Sequence, residues 1–218
     1  MEKEKHVVFG ISPFNTKFNE EYIFNMLDWG FENFSRVDMI HPHEEAKYLL
    51  MGCGNNEVKS KKKSRKEFSR VRKIVNKYLH DKRKNLNYGQ IMKFADFYNS
   101  NHYNRLYESV KNEYESFSDF REICVSQTEK AILNRKKSLE DISSHDDECI
   151  HVATKYILRE IPFIVAPAEV LSSNCHVYIS YYSNWSIADY LYKQGRKIKP
   201  SQRTSLIIKD HSYMKVLS

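Results

Sequence analysis

Apolar positions along this chain recur in two alternating periods. Val7, Val8 and Phe9 form a short run, β-branched and aromatic, without helical spacing. They predict a buried strand over 6–12. Pro13, which has no N–H to give to a ladder, must end it. Ile23, Leu27, Gly30, Phe31 and Phe34 then share one face of a helix predicted over 19–34. Val37 to Ile40 reads as a second strand, and "HPHEEAKYLL" as a short helix with Pro42 near its start and Glu44 and Glu45 in its first turn. Phe68, Val71, Ile74, Val75, Tyr78 and Leu79 make one apolar stripe on a long helix. "QIMKFADFY" reads as a strand, followed by helices near 99–116 and 118–137. A further helix starts at "SSHDDE", capped by Ser143 or Ser144, with Asp146, Asp147 and Glu148 in its first turn. It runs to Glu160, and Pro162 ends it. "HVYISYY", "SIADYLYK" and "TSLIIK" read as strand, helix and strand.

Strands alternating with helices predict an α/β fold: a mostly parallel sheet flanked by helices on both faces. No Pro/Gly/Ser-rich linker divides the 218 residues, so one domain over 1–218 is expected. The opening MEKEK is charged and the apolar run after it is too short for a signal peptide. No stretch approaches the roughly 18 apolar residues of a membrane span. Cys53, Cys124, Cys149 and Cys175 are scattered without paired spacing. Reduced thiols, a cytoplasmic location and a monomer are the expectation.

Charge changes the picture more by where it lies than by its size. Thirteen Lys/Arg face only two acids, Glu67 and Asp81, between Lys59 and Lys84, a local charge of +11. The whole chain is +7, so the remainder is −4. Opposite the apolar stripe of the long helix stand Lys62, Lys63, Lys66, Arg70, Lys73 and Lys77. A merely solvated helix face interleaves Glu with Lys, and this one does not. An unneutralised cationic stripe suits a polyanion such as a nucleic acid, gripped through its phosphates without reading sequence.

Candidate chemistry gathers where strands end. Ser12 follows the first strand, at the edge where open α/β sheets bind ligands, and Gly10 beside it allows a close approach to the backbone. A serine that only ends a strand is the alternative. Tyr156 and Glu160, four apart, share one helix face, as a packing pair or as part of a site. Tyr181 and Tyr182 close the strand "HVYISYY". Other chemistries thin out. The nucleophile elbow G-x-S-x-G fails, because Phe14 stands where its second glycine belongs. No Walker A or G-x-G-x-x-G cradle occurs. Neither "HPH" (His41, His43) nor "HDDECIH" matches a zinc spacing, so no metal is expected.

Five of these pieces, in order, resemble one family: G-I-S-P-F-N at the first strand, the Lys/Arg-rich helix, "LNR" at 133–135, Y-x-x-x-E-x-P-F at 156–163, and the Tyr-ending strand. They are similar to the tRNA-dependent cyclodipeptide synthases, across nearly the whole chain. The resemblance implies a Rossmann-like domain related to the catalytic core of class I aminoacyl-tRNA synthetases. It implies two aminoacyl-tRNAs as substrates, a cyclic dipeptide as product, and no cofactor. Ser12 would accept the first aminoacyl group, and Tyr156 and Glu160 would hold its α-amino group. Tyr181 would assist proton transfer, and Asn15 would mark one of two subfamilies. Asn134 and Arg135 would line the site for the second aminoacyl moiety. Val8, Gly10, Phe94, Phe163 and Ile179 would line the first pocket, and the basic helix would receive tRNA. One departure stands out: the asparagine subfamily has His after the strand-end tyrosine, and here it is Tyr182. A catalytically silent RNA-binding module on the same scaffold is the competing expectation. A serine hydrolase lacks both its elbow and an Asp/His pair.

Overall fold

The computed structural model of the chain describes residues 5–135, 147–183, 185–193 and 198–212. Among these, five parallel strands form one sheet: β1 (Lys5–Gly10), β2 (Arg36–His41), β3 (Met92–Lys93), β4 (His176–Tyr181) and β5 (Thr204–Ile208). Their order is β3-β2-β1-β4-β5. Val7 lies opposite Val37 on one side and Tyr178 on the other, and Val8 opposite Asp38 and Ile179. The order reverses between β1 and β4, which makes the gap at their carboxyl ends the place where an open α/β sheet binds ligands.

Helices cover both faces, so the inner strands β1 and β2 bury both sets of side chains, while the edge strand β5 stays partly exposed. On one face α1 (Glu20–Asn33) and α3 (Glu57–Lys82) close over Val7, Phe9, Val37 and Met39. Asn19 caps α1 by accepting the Tyr22 N–H, and Asn56 caps α3 by accepting the Lys59 N–H. The α3 stripe of Phe68, Val71, Val75 and Tyr78 is buried here as its spacing predicts, with the Tyr78 hydroxyl donating to Asp28 at 2.7 Å. On the other face α4 (Asn101–Ser116), α5 (Ser118–Leu133), α6 (Asp147–Val165) and α8 (Ser186–Lys193) pack over Val8, Ile40, Val177 and Ile179. The short α2 (Ala46–Gly52) packs against both α3 and α6, and α7 (Pro167–Val170) leads into β4.

Two expectations need correction. Pro162 does not end its helix: α6 continues to Val165, and the Ala166 N–H reaches the Pro162 carbonyl at 3.1 Å. Every residue from Glu160 to Val165 is buried, and that packing offsets the hydrogen bond the proline removes. "QIMKFADFY" is not a full strand. Only Met92 and Lys93 pair with β2, and a 3₁₀ turn over Phe94–Phe97 follows. Asp96 accepts the Lys93 N–H at 2.8 Å and turns the chain away from the sheet. The predicted caps Ser143 and Ser144, with Asp146, lie outside the described residues.

Candidate active site

The loop after β1 begins as a ladder and ends as a clamp. Ile11 still donates to the Ile40 carbonyl at 3.0 Å. Ser12 follows, half-buried, its hydroxyl without a hydrogen-bond partner among the described residues. The Pro13 carbonyl accepts from Arg135 at 2.8 Å, and the Phe14 N–H donates to Glu67 at 3.3 Å. Asn15 turns the loop back on itself: its side chain accepts the Lys17 N–H and its carbonyl the Phe18 N–H. The loop is held at Ile11, Pro13, Phe14 and Asn15, with Ser12 between the first two anchors.

Tyr181 crosses this loop's root from the end of β4. A Cβ placed on Gly10 would stand 2.4 Å from the Tyr181 ring. The close approach that a glycine permits at this position is therefore the tyrosine's. The Tyr181 hydroxyl donates to Glu160 Oε1 at 2.9 Å, while Glu160 Oε2 has no hydrogen-bond partner among the described residues. Burial pushes the Glu160 carboxyl up to about 7, and the Tyr181 and Tyr156 hydroxyls, which favour its charged form, offset that only in part. Burial and the neighbouring carboxylate raise both tyrosines well above the ordinary phenol range. A buried carboxylate with one oxygen tied and one unpaired is an acceptor for an ammonium group.

Ser12, Asn134, Arg135, Tyr156, Glu160 and Tyr181 line one cavity of about 120 Å³ at the β1/β4 edge. Six of the twelve residues named as catalytic or substrate-binding from the sequence thus share one space. Val8, Phe94, Phe163 and Ile179 lie behind it in the core, where Phe94 stacks on Phe163 at 4.9 Å and parallel to Tyr156 at 6.5 Å. None of the four lines the cavity itself, and among them Phe94 lies against Tyr156. Asn15 does not line the cavity.

Sequence reasoning missed Leu49, Gln127, Ala131, Ile157, Ser183 and Trp185, which complete the lining, and gave Tyr182 no role there. Gln127, Ala131 and Ile157 carried a usable signal: Gln127 and Ala131 lie seven and four residues before Asn134 and Arg135, and Ile157 three before Glu160. Trp185 carried none; it meets the Tyr181 ring edge-on at 5.0 Å. Tyr182 packs on Phe18 at 5.7 Å with the Lys17 ammonium over its ring. A larger groove of about 380 Å³ opens on the opposite face of α6, but none of the predicted residues lines it. No group of three or more His, Cys, Asp or Glu that could hold a metal occurs among the described residues.

The basic helix divides into free and engaged cations. Lys62, Lys66 and Lys73 are exposed and make no ion pair with a described residue, and Lys63 donates only to Asn55. Lys77 pairs with Glu20 at 2.6 Å. Arg70 is half-buried, paired with Glu67 and bonded to the Phe18 carbonyl. No described helix is long and apolar enough to cross a membrane.

A family model described as cyclodipeptide synthase matches residues 1–210. A cyclo(L-leucyl-L-leucyl) synthase of Staphylococcus haemolyticus is 26% identical over 217 residues, covering 98% of this chain and 92% of its own. The crystal structure of a cyclodipeptide synthase from Bacillus thermoamylovorans superposes with a TM-score of 0.85 at 30% identity, over 94% of this chain and 88% of that one. More distant structures share the fold. One is a Mycobacterium tuberculosis protein (TM-score 0.73, 19% identity, 94% and 84% covered), from which cyclodipeptide synthetases were described as related to type I tRNA synthetases. Another is a cyclodipeptide synthase from Candidatus Glomeribacter gigasporarum, bound to Phe-tRNAPhe (TM-score 0.56, 17% identity, 100% and 92% covered).

Proposed function

As a member of the cyclodipeptide synthase family the chain is an enzyme, and we propose that it joins the aminoacyl groups of two aminoacyl-tRNAs through an aminoacyl ester on Ser12. The observation that carries this reading is the meeting of the Ser12 hydroxyl with Glu160, Tyr156 and Tyr181 in one cavity.

The ester of an aminoacyl-tRNA is already activated, so the site must position and move protons rather than spend ATP. Glu160 Oε2 takes the α-ammonium group of the first aminoacyl moiety, which sets its carbonyl before Ser12. The Ser12 oxygen attacks that carbonyl, the bond to the tRNA ribose breaks, and the departing ribose oxygen takes up the serine proton through its neighbouring hydroxyl. One hard step becomes two easier ones. The second aminoacyl-tRNA brings its amine against the acyl-serine, the Ser12–acyl bond breaks, and a dipeptide remains esterified to the second tRNA. The dipeptide's own amine then closes the ring and expels that tRNA. A carboxyl whose pKa lies near 7 can hold the ammonium and also take its proton when the amine must attack. Tyr181, bonded to the same carboxyl, lies on that proton's route. Well-oriented intramolecular attack reaches effective molarities on the order of 10⁵ M or more, so holding the groups in place supplies much of the rate.

Leu49, Ala131, Ile157 and Trp185 leave an apolar lining between the polar groups. Together with the leucyl-leucyl synthase from Staphylococcus haemolyticus, this favours an apolar aliphatic aminoacyl group. The free lysines of α3 supply the seat for the tRNA backbone.

The test is mass spectrometry of medium from bacteria expressing the chain, beside Ser12→Ala. New cyclic dipeptides in the wild type alone are expected, with label from a radiolabelled aminoacyl-tRNA retained on Ser12. Product undiminished in Ser12→Ala would overturn the covalent route; tRNA binding with no product would leave an RNA-binding module.

A further inference from the structure

Between Glu57 and Asp81 the basic helix α3 carries a single acid, Glu67. Its side chain is 12% exposed, turned from the lysine stripe toward the Ser12 loop. Glu67 Oε1 accepts the Phe14 N–H at 3.3 Å. Its two oxygens also hold Arg70 in a fork, Nε to Oε2 at 2.9 Å and Nη2 to Oε1 at 2.8 Å. The remaining arm of Arg70, Nη1, donates to the Phe18 carbonyl at 2.8 Å. One ion pair thus grips the backbone of the Ser12 loop at two points beyond the serine, Phe14 and Phe18. What it holds is strained: Phe14 has φ 60°, in the left-handed region that a bulky residue rarely adopts and keeps only when its surroundings impose it.

Resting on the reading of Ser12 as nucleophile, we propose that Glu67 and Arg70 are positioning residues that aim Ser12 and couple its loop to the helix on which tRNA docks. Lys66 precedes Glu67 in sequence and Lys73 lies three residues beyond Arg70, so the same rigid turns of helix carry free cations outward and the clamp inward. A phosphate backbone seated on the lysines loads the element that fixes the nucleophile. Neither Glu67 nor Arg70 lines the cavity, so they act through the loop. The fork sets which replacements are tolerated. Gln at 67 keeps an acceptor for the Phe14 N–H but loses the charge-assisted pair. Lys at 70 keeps the charge but, as a point donor, cannot hold the carboxylate in a fork and the carbonyl at once.

The experiment compares Glu67→Gln, Glu67→Ala and Arg70→Lys with the double variant Lys62→Ala/Lys66→Ala. Two quantities are read in the full-length protein: the dissociation constant for aminoacyl-tRNA, and the single-turnover rate of label transfer to protein at saturating aminoacyl-tRNA. In the clamp variants the saturated rate is expected to fall roughly ten-fold for Glu67→Gln and roughly a hundred-fold for Glu67→Ala, with affinity held within about two-fold, as misplacing a reacting group demands. The lysine pair is expected to do the reverse. Clamp variants that weaken binding and leave the saturated rate intact overturn the proposal, as do variants that change neither. Should Glu67→Ala melt below the assay temperature, the two side-chain-conserving variants decide. Ser12→Ala in the same assay keeps the two claims apart. Label transfer that survives it removes the nucleophile reading, whereas transfer lost there but unchanged in the clamp variants removes only the positioning role.

Discussion

Glu160 is set against itself: its chemistry wants a charge, and its surroundings penalise one. It is 3% exposed, and burial raises its pKa from 4.5 to about 7. A carboxyl raised in the folded state binds its proton more tightly there than in the unfolded chain. Its contribution to stability is therefore fully present below about pH 4.5 and lost as pH rises through 7, roughly 3 kcal/mol for a shift of this size. Glu160→Gln removes that penalty while keeping the shape and an acceptor for Tyr181. The variant should make no product, yet melt at a higher temperature than wild type at pH 8, with the gap closing toward pH 5. Thermal melts of both proteins across that range check it, and a gap independent of pH would remove the titration argument. That Ser12, Tyr156, Glu160 and Tyr181 could meet was legible from strand ends and helical spacing, while the roles given to them came from the family resemblance alone. Gly10 was half legible: a close approach was visible, but that the visitor is the Tyr181 ring depends on β1 and β4 being neighbours, which no local pattern states.

Among the elements, α3 followed its pattern most closely, since 26 residues give a 3.6-residue period room to show both faces. Its apolar stripe is core, and Lys62, Lys63, Lys66 and Lys73 make no ion pair with a described residue. Arg70 could not be separated from them on a helical wheel, because the wheel shows where a side chain starts and not which loop it meets. Reversing the four lysines to Glu should raise the KM for aminoacyl-tRNA by at least about ten-fold at low salt and flatten its salt dependence, while the melting temperature stays near that of wild type. Kinetics at two ionic strengths test this; an unchanged KM would leave the stripe a solvated face. The pattern misled at β3 and in α6 for opposite reasons. Around Met92 the apolar run was real but Asp96 turns the backbone after two paired residues. At Pro162 the helix breaker was real but burial on all sides outweighed it.

At the scale of the molecule, a parallel sheet flanked by helices followed from the alternation of strand and helix, while the strand order and the division of labour between the sheet's faces did not. Leu27 is fully buried under the α1/α3 face, and Phe163 under the face that carries the cavity. Leu27→Ala and Phe163→Ala should each cost about 2–5 kcal/mol of stability, the usual range for emptying a core site. Only Phe163→Ala should also lower activity per folded molecule, because Phe94, and through it Tyr156, leans on that ring. Urea melts set beside activity at low temperature separate the two effects. Equal specific activities would mean the back wall does not position Tyr156.

β1 is the first strand to be synthesised, yet its second neighbour, β4, begins only at His176. Long-range parallel pairing of this kind is completed late in folding. A nascent chain leaves the ribosome among charged tRNAs, with its serine exposed and without the carboxylate, the tyrosines or the loop clamp around it. On the reading of Ser12 as nucleophile, the site is assembled only once Tyr181 has been made and β4 has paired with β1, so the order of synthesis delays the meeting of the serine with its carboxylate and tyrosine.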